Sequence, residues 1–234
     1  MQQISCPLRA VEKLTNDVWE FEFSFEGTPV DFKPGQFFML KVPGAKPLNR
    51  SYSVASPPSK DGFKLCVKLV PDGLGSEYLR KLKIGDHAEF MAPAGHFTLQ
   101  DSNKEVIMVA TGTGLAPFMS MLPVMFARGD KQPITLYFGC RQESDLFYLE
   151  QVYNWEEENE NFTAVICASR PSKEWDGGFV GRVTAALENH PIDTDDTKVY
   201  ICGNGNMVKE VRAMMMEQGL TKQDIHFELF TPIT

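Results

Sequence analysis

Val109-Ala110-Thr111-Gly112-Thr113-Gly114-Leu115-Ala116-Pro117 joins a short apolar run to a helical one, and its reading decides the second half of the chain. Residues 106–110 are apolar without alternation, as a strand buried on both faces would be. The glycines let the backbone turn sharply, and the helix that follows presents free N–H groups to an anion. Such a turn can cradle a dinucleotide pyrophosphate. It can equally serve close packing alone, so the turn by itself does not identify a ligand. Downstream, apolar runs at 134–138, 163–168 and 199–202 alternate with helical stretches at 116–128, 146–158, 181–188 and 206–218. Strand–helix alternation implies an α/β domain with a parallel sheet and right-handed crossovers.

Upstream the periodicity differs. Segments 18–25, 36–42, 63–69 and 87–91 are short and rich in aromatic or β-branched residues. Turn signals such as Pro34-Gly35, Pro43-Gly44, Asp61-Gly62 and Gly85-Asp86 bound them. Short strands at this spacing predict a small antiparallel barrel or sandwich, interrupted by one helical stretch at 76–82. The change falls in the polar stretch Gln100-Asp101-Ser102-Asn103-Lys104, which places one domain at 1–101 and a second at 102–234.

The 234 residues, 43% hydrophobic and 23% charged, suit two ordinary cores. A formal charge of -8 with no Lys/Arg cluster argues against nucleic acid or an anionic membrane as partner. The five cysteines are scattered without Cys-x-x-Cys spacing, which argues against a metal site and for reduced thiols. The N-terminus has no signal architecture, and no apolar run is long enough for a membrane span, so a cytoplasmic location is expected.

Three further motifs carry possible chemistry. Arg50-Ser51-Tyr52-Ser53 sets an arginine, suited to bidentate phosphate binding, two residues from a tyrosine that shares its strand face. An ordinary surface arginine beside a half-buried tyrosine is the plain alternative. Asp72-Gly73-Leu74-Gly75-Ser76 leads into a helix with Ser76 as expected N-cap, either a second phosphate cradle or a simple cap. Cys202-Gly203-Asn204-Gly205-Asn206-Met207 is again a strand end, a glycine turn and a helix. In open α/β sheets ligands sit beyond the carboxyl ends of strands, so this loop and the 111–114 loop should share one mouth. Cys202 is then either a buried core thiol or a group touching the reacting ring.

In this order and spacing the motifs resemble the ferredoxin–NADP reductase family of flavoproteins, over nearly the whole chain. Pro34-Gly35-Gln36-Phe37, Arg50-Ser51-Tyr52-Ser53, Gly73-x-x-Ser76 and Pro93-Ala94-Gly95-His96-Phe97 are similar to its flavin-domain signatures. Gly112-Thr113-Gly114-Leu115-Ala116-Pro117 and Cys202-Gly203 with Met207-Val208 are similar to its nicotinamide-side motifs.

The resemblance implies a six-stranded antiparallel flavin barrel followed by a nucleotide domain of five or so parallel strands. It implies FAD rather than FMN, with NADH or NADPH as the second nucleotide. Arg50 and Ser51 would then serve the flavin diphosphate, Tyr52 would stack on the ring, and Ser53 would lie near its N5. Backbone groups at Val67 and Leu69, with Gly75 and Ser76, would hold the rest. Thr111, Gly112 and Thr113 would receive the nicotinamide dinucleotide, with Cys202, Gly203 and Met207 near the nicotinamide and Arg141 lining the cleft. Arg170, with Lys173, would lie where a 2′-phosphate is read, although Ser169-Arg170-Pro171 followed by Trp175 and Gly177 also looks like NADH-using oxygenase reductases. Phe230 would shield the flavin, with Glu228 a polar partner; a last strand with two core phenylalanines is the alternative. Four residues follow Phe230, a longer tail than in members that end on the aromatic.

The implied reaction is hydride transfer from nicotinamide C4 to flavin N5, with Ser53, Cys202 and Glu228 around the reacting atoms. The absence of an iron–sulfur signature points to a separate protein acceptor such as ferredoxin, flavodoxin or an oxygenase component. A flavin reductase that releases reduced flavin, and a non-catalytic electron-transfer subunit, are the rival readings.

Overall fold

The computed structural model describes residues 1–44, 48–188 and 190–230. They fall into two compact units, one of Met1–Gln100 with Ala116–Met125, the other of Asp101–Leu115 with the chain from Phe126 onward.

The first unit is built on one antiparallel sheet of β1 (Gln2–Lys13), β2 (Val18–Ser24), β3 (Phe37–Val42), β4 (Leu48–Ser53), β5 (Gly62–Lys68) and β6 (His87–Ala94). Their order is β4-β3-β6-β1-β2-β5. The two outer strands approach one another, with a bridge between Val54 and Leu65 and the Ala55 N–H donating to the Lys64 carbonyl at 2.7 Å. That contact curls the sheet into a barrel. In β3 every second residue, Phe38, Leu40 and Val42, faces the interior. Phe23, Phe38, Phe63 and Phe90 fill it; Phe38 and Phe63 have centroids 4.5 Å apart, and Phe63 meets Phe90 edge-on at 5.2 Å. Each such pair is worth about 0.5–1.5 kcal/mol beyond its buried area.

Strand β1 has a weak sequence pattern, with Pro7 inside it and only Cys6 and Leu8 fully buried. It serves two neighbours in turn, residues 2–7 pairing with β6 and 8–13 with β2, so neither face stays apolar along its length.

The second unit is a parallel sheet of β7 (Glu105–Thr111), β8 (Ile134–Cys140), β9 (Phe162–Ala168), β10 (Phe179–Val180), β11 (Thr197–Asn204) and β12 (Ile225–Phe230). Its order is β10-β9-β8-β7-β11-β12, six strands where five or so were expected, because the two-residue β10 adds an edge. Its helices are α3 (Leu149–Glu158), α4 (Val183–Leu187) and α5 (Gly205–Glu217), while α1 (Leu74–Lys81) and most of α2 (Ala116–Arg128) fall in the first unit. From β7 the chain winds outward through β8 and β9, then returns to β11 on the opposite side. That reversal is a topological switch point, where open α/β sheets bind ligands.

Two helices are shorter than their sequence pattern. Residues 143–145 form a separate 3-10 turn and Tyr148 adopts a left-handed φ of 58°, which delays α3 to Leu149. The helix expected at 181–188 narrows to Val183–Leu187 because Gly181, at φ 155°, is still extended loop. Among the described residues no helix is long and apolar enough to cross a membrane.

Candidate functional site

In the first unit, β4 and the start of α1 converge. Strand periodicity puts Arg50 and Tyr52 on one face of β4. A β-carbon on Gly75 would fall 2.6 Å from the Tyr52 hydroxyl and 3.1 Å from Arg50 Cγ, so only glycine lets the helix start come this close. Ser76 is not the N-cap. Gly73 holds that position without a side-chain cap, and the Ser76 hydroxyl instead accepts the Val70 N–H at 3.0 Å. The loop is pulled onto β5, and the first turn of α1 is left without a side-chain acceptor. Uncapped N–H groups attract anions.

Arg50 donates from Nη1 to the Asn49 carbonyl at 3.0 Å and makes no ion pair among the described residues. Burial pushes the Tyr52 phenol up to about 12, with the Arg50 charge pulling the other way, so its proton stays in place as a donor. Ser51 and Ser53 share the other face of β4, yet Ser51 is exposed while Ser53, at the strand's end, is buried. Val67 and Leu69 have core side chains; the Leu69 N–H donates to the Asp17 carbonyl at 2.6 Å and its carbonyl accepts Arg80 Nη2 at 3.2 Å. Arg80, absent from the sequence expectations, thus braces this loop.

In the second unit, the carboxyl ends of β7 and β11 meet. A β-carbon on Gly114 would lie 2.2 Å from the Cys202 carbonyl, and one on Gly203, whose φ is 135°, 2.5 Å from Thr111 Oγ1. Glycine is required at both. Thr111 Oγ1 accepts the Asn204 N–H at 3.1 Å, and the Asn204 side chain caps α5 by accepting the Asn206 N–H at 3.0 Å. Asn before a helix is a recognisable cap, and that signal was available in the sequence. The helix expected directly after the glycines begins as a 3-10 turn, Gly112–Leu115, which carries Thr113.

The Cys202 thiol is wholly buried, and β11 runs two residues beyond it. Burial first, then the charge of Glu228, its register partner on β12, pushes that thiol well above its ordinary range. It is a proton-bearing group, not a thiolate nucleophile. Met207 is packed in the core with Val208 and Val211. Phe230 is half-buried opposite Asn204, while Phe227 lies exposed under the Arg212 guanidinium at 4.5 Å. The alternative of two core phenylalanines therefore fails, because β12 is an edge strand. The tail at 231–234 lies outside the described residues.

The loops after β8 and β9 are stitched together. The Arg170 N–H donates to the Arg141 carbonyl at 2.7 Å and the Ser169 N–H to the Cys140 carbonyl at 3.2 Å, with both arginine side chains exposed. Glu143 also joins them, its carboxylate accepting the Ser172 N–H at 3.1 Å. Sequence reading passed over that residue because an exposed glutamate has no motif of its own. Among the described residues no cluster of His, Cys, Asp or Glu is arranged to hold a metal ion.

The family described as an oxidoreductase FAD-binding domain matches residues 5–99, and the oxidoreductase NAD-binding domain matches residues 108–213. The reductase component of propane 2-monooxygenase from Mycolicibacterium goodii is 30% identical over 239 residues, covering 99% of this chain and 68% of the relative. The electron transfer component of 2-halobenzoate 1,2-dioxygenase from Burkholderia cepacia is 30% identical over 95% of this chain and 66% of its own. The chain thus spans about two thirds of the length of these relatives. Among solved structures, the Amycolatopsis cytochrome P450 reductase GcoB superposes with a TM-score of 0.90 at 27% identity, over 99% of this chain and 70% of its own. A ferredoxin NADP+ reductase from Neisseria gonorrhoeae with bound FAD and NADP shares the fold, with a TM-score of 0.87 at 24% identity over 98% of this chain and 99% of its own. Aligned with such reductases along nearly all its length, and matched unit by unit to their flavin and nicotinamide domains, the chain belongs to the ferredoxin–NADP reductase family and is an FAD-binding, NAD(P)H-dependent reductase.

Proposed function

We propose that this reductase takes electrons from NAD(P)H and delivers them to a separate redox protein, an oxygenase component, ferredoxin or flavodoxin. The observation that carries the flavin half is the cradle at Gly75, which a single β-carbon would fill and which Arg50, Tyr52 and the uncapped start of α1 surround. These groups suit FAD. Arg50 supplies a fixed positive charge for the diphosphate, with exposed Ser51 beside it, and the first-turn N–H groups around Gly75 and Ser76 supply neutral donors. Tyr52 keeps its phenolic proton and can donate it in a hydrogen bond. When bound, the flavin supplies the two-electron to one-electron conversion that no side chain can perform.

In the second unit, the turn carrying Thr111, Gly112 and Thr113 and the one carrying Gly203 form the mouth that suits a pyridine nucleotide. Arg141 and Arg170 stand at the adenosine side, and Cys202, Met207, Glu228 and Phe230 at the nicotinamide side. Cys202 keeps its proton beside Glu228, which makes the pair a hydrogen-bonding environment and not a covalent catalyst. In the first unit, Ser53, buried at the end of β4, belongs to the flavin side. The residues bind, orient and keep protons in place, so proximity is the main source of rate.

The acceptor is proposed from relatives described as reductase components of oxygenases. The test supplies NADH or NADPH with a ferredoxin, a flavodoxin, an oxygenase component or free flavin as acceptor. Faster turnover with a protein acceptor, with FAD retained through gel filtration, supports the proposal. Turnover only with free flavin, with cofactor lost on the column, replaces it by a flavin reductase.

A further inference from the structure

The loops that follow β8 and β9 carry a charge conflict. Arg141, Arg170 and Lys173 would welcome a phosphate, yet the backbone N–H of Ser172, in the middle of the basic loop, is already taken by a carboxylate. Both oxygens of Glu143 lie 3.1 Å from it. Glu143 opens the 3-10 turn Glu143–Asp145, and the Gln142 N–H donating to Asp145 Oδ2 at 3.1 Å closes that turn. Its backbone is therefore fixed, and the Ser172 N–H draws its side chain toward the basic loop. Hydrogen bonding by Ser172 also holds this carboxyl below the usual carboxylate range, so the charge persists at neutral pH.

Position gives the carboxylate its meaning. In doubly wound dinucleotide domains an acid beyond the strand next to the phosphate-turn strand accepts the ribose 2′-hydroxyl, whereas an arginine there accommodates a 2′-phosphate. Here β7 bears the glycine turn, β8 is its neighbour, and Glu143 lies three residues past the end of β8. We propose that Glu143 selects NADH, accepting the ribose 2′-hydroxyl and placing a fixed negative charge where the 2′-phosphate of NADPH would have to sit. This rests on the nucleotide-binding reading above and adds to it the discrimination between the two nucleotides. A 2′-phosphate carries a charge of about −1.5 to −2. Its repulsion by a carboxylate a few ångström away in a water-like dielectric is worth about tenfold in affinity.

Two substitutions separate charge from scaffolding. Glu143→Gln keeps an oxygen for the Ser172 N–H and loses the charge; Glu143→Ala loses both. The readouts are kcat/KM for NADH and NADPH with ferricyanide, and calorimetric affinity for adenosine 2′,5′-bisphosphate against adenosine 5′-monophosphate. The wild type should prefer NADH. Glu143→Gln should raise the NADPH:NADH ratio about tenfold and tighten the bisphosphate comparably, with the monophosphate changed less than about twofold. A ratio and a bisphosphate affinity unmoved in Glu143→Gln, with Glu143→Ala impairing both nucleotides equally, would reduce Glu143 to a loop staple. A wild type that prefers NADPH overturns the proposal as well. Oxidation of neither nucleotide, with neither adenosine ligand bound, would instead remove the reading on which it stands.

Discussion

Gly75 and Tyr52 lie so close that a β-carbon on the glycine would come within 2.6 Å of the tyrosine hydroxyl. Gly75→Ala must therefore displace either the phenol or the start of α1, at a cost of roughly 1–3 kcal/mol in local strain. The expected outcome is a barrel that still folds, since the Phe23, Phe38, Phe63 and Phe90 interior is untouched, but that binds FAD at least tenfold more weakly. Flavin content per chain after gel filtration, set beside the melting temperature, measures both.

Arg50→Ala removes a charge that no carboxylate neutralises among the described residues. A hydrogen bond to a charged group is worth about 1.5–3 kcal/mol, so FAD affinity should fall roughly ten- to a hundredfold. Arg50→Lys should recover only part, because an ammonium cannot grip a phosphate in two places. Fluorescence titration of the apoprotein with FAD gives the two constants. Unchanged affinity in Arg50→Ala would exclude the diphosphate role.

Much of this was legible in the sequence, for stated physical reasons. The buried strands β7, β8, β9 and β11 announce themselves as unbroken apolar runs because both faces are covered, and the barrel strands announce themselves by alternation. Strand β1 escaped because it changes partners midway, and β10 because two exposed residues carry no pattern. Arg50, Tyr52 and the glycine turns stood out because their residue types are unusual in those settings. Ser76 was misassigned as a cap because a serine directly after Gly75 reads the same whether its hydroxyl turns to its own helix or back to Val70. The bracing by Arg80 and the Glu143–Ser172 staple join residues distant in sequence, which a single chain of letters does not reveal.

On the nicotinamide side, the β-carbon of Gly114→Ala would meet the Cys202 carbonyl, a backbone atom that cannot rotate away. That substitution should spread the mouth between β7 and β11. The expected phenotype is a KM for NAD(P)H raised at least tenfold with FAD still bound, the reverse of the Gly75→Ala phenotype. Steady-state kinetics on FAD-saturated protein distinguish the two.

Cys202 is wholly buried and its thiol lies well above the ordinary range. Iodoacetamide should leave it unmodified in the native protein at neutral pH and label it only after denaturation. Cys202→Ala should slow turnover while FAD content stays at the wild-type level. Rapid native alkylation at Cys202, read by peptide mass spectrometry, would contradict the buried-thiol assignment.

His226 stacks on Tyr200 at 4.8 Å, and its Nε2 is buried without a hydrogen-bond partner. Burial first, then the Lys198 charge, holds its pKa below the usual histidine value, against the opposing pull of Asp224. The unfolded chain, with a pKa of about 6.5, then binds the proton more readily than the folded one. Stability from this group is therefore present above about pH 6.5 and is lost as pH falls from there through the depressed folded value. Urea titrations should show His226→Gln losing less stability than the wild type between neutral and mildly acidic pH. An identical pH dependence in the two proteins would remove this assignment.

The most direct test of flavin-dependent electron transfer is an anaerobic titration of freshly purified protein with NADH, followed by flavin absorption. A yellow protein carrying about one FAD per chain, bleached by about one equivalent of NADH, is the expected result. A colourless protein that FAD cannot reconstitute, or a yellow one that neither NADH nor NADPH reduces, would contradict it.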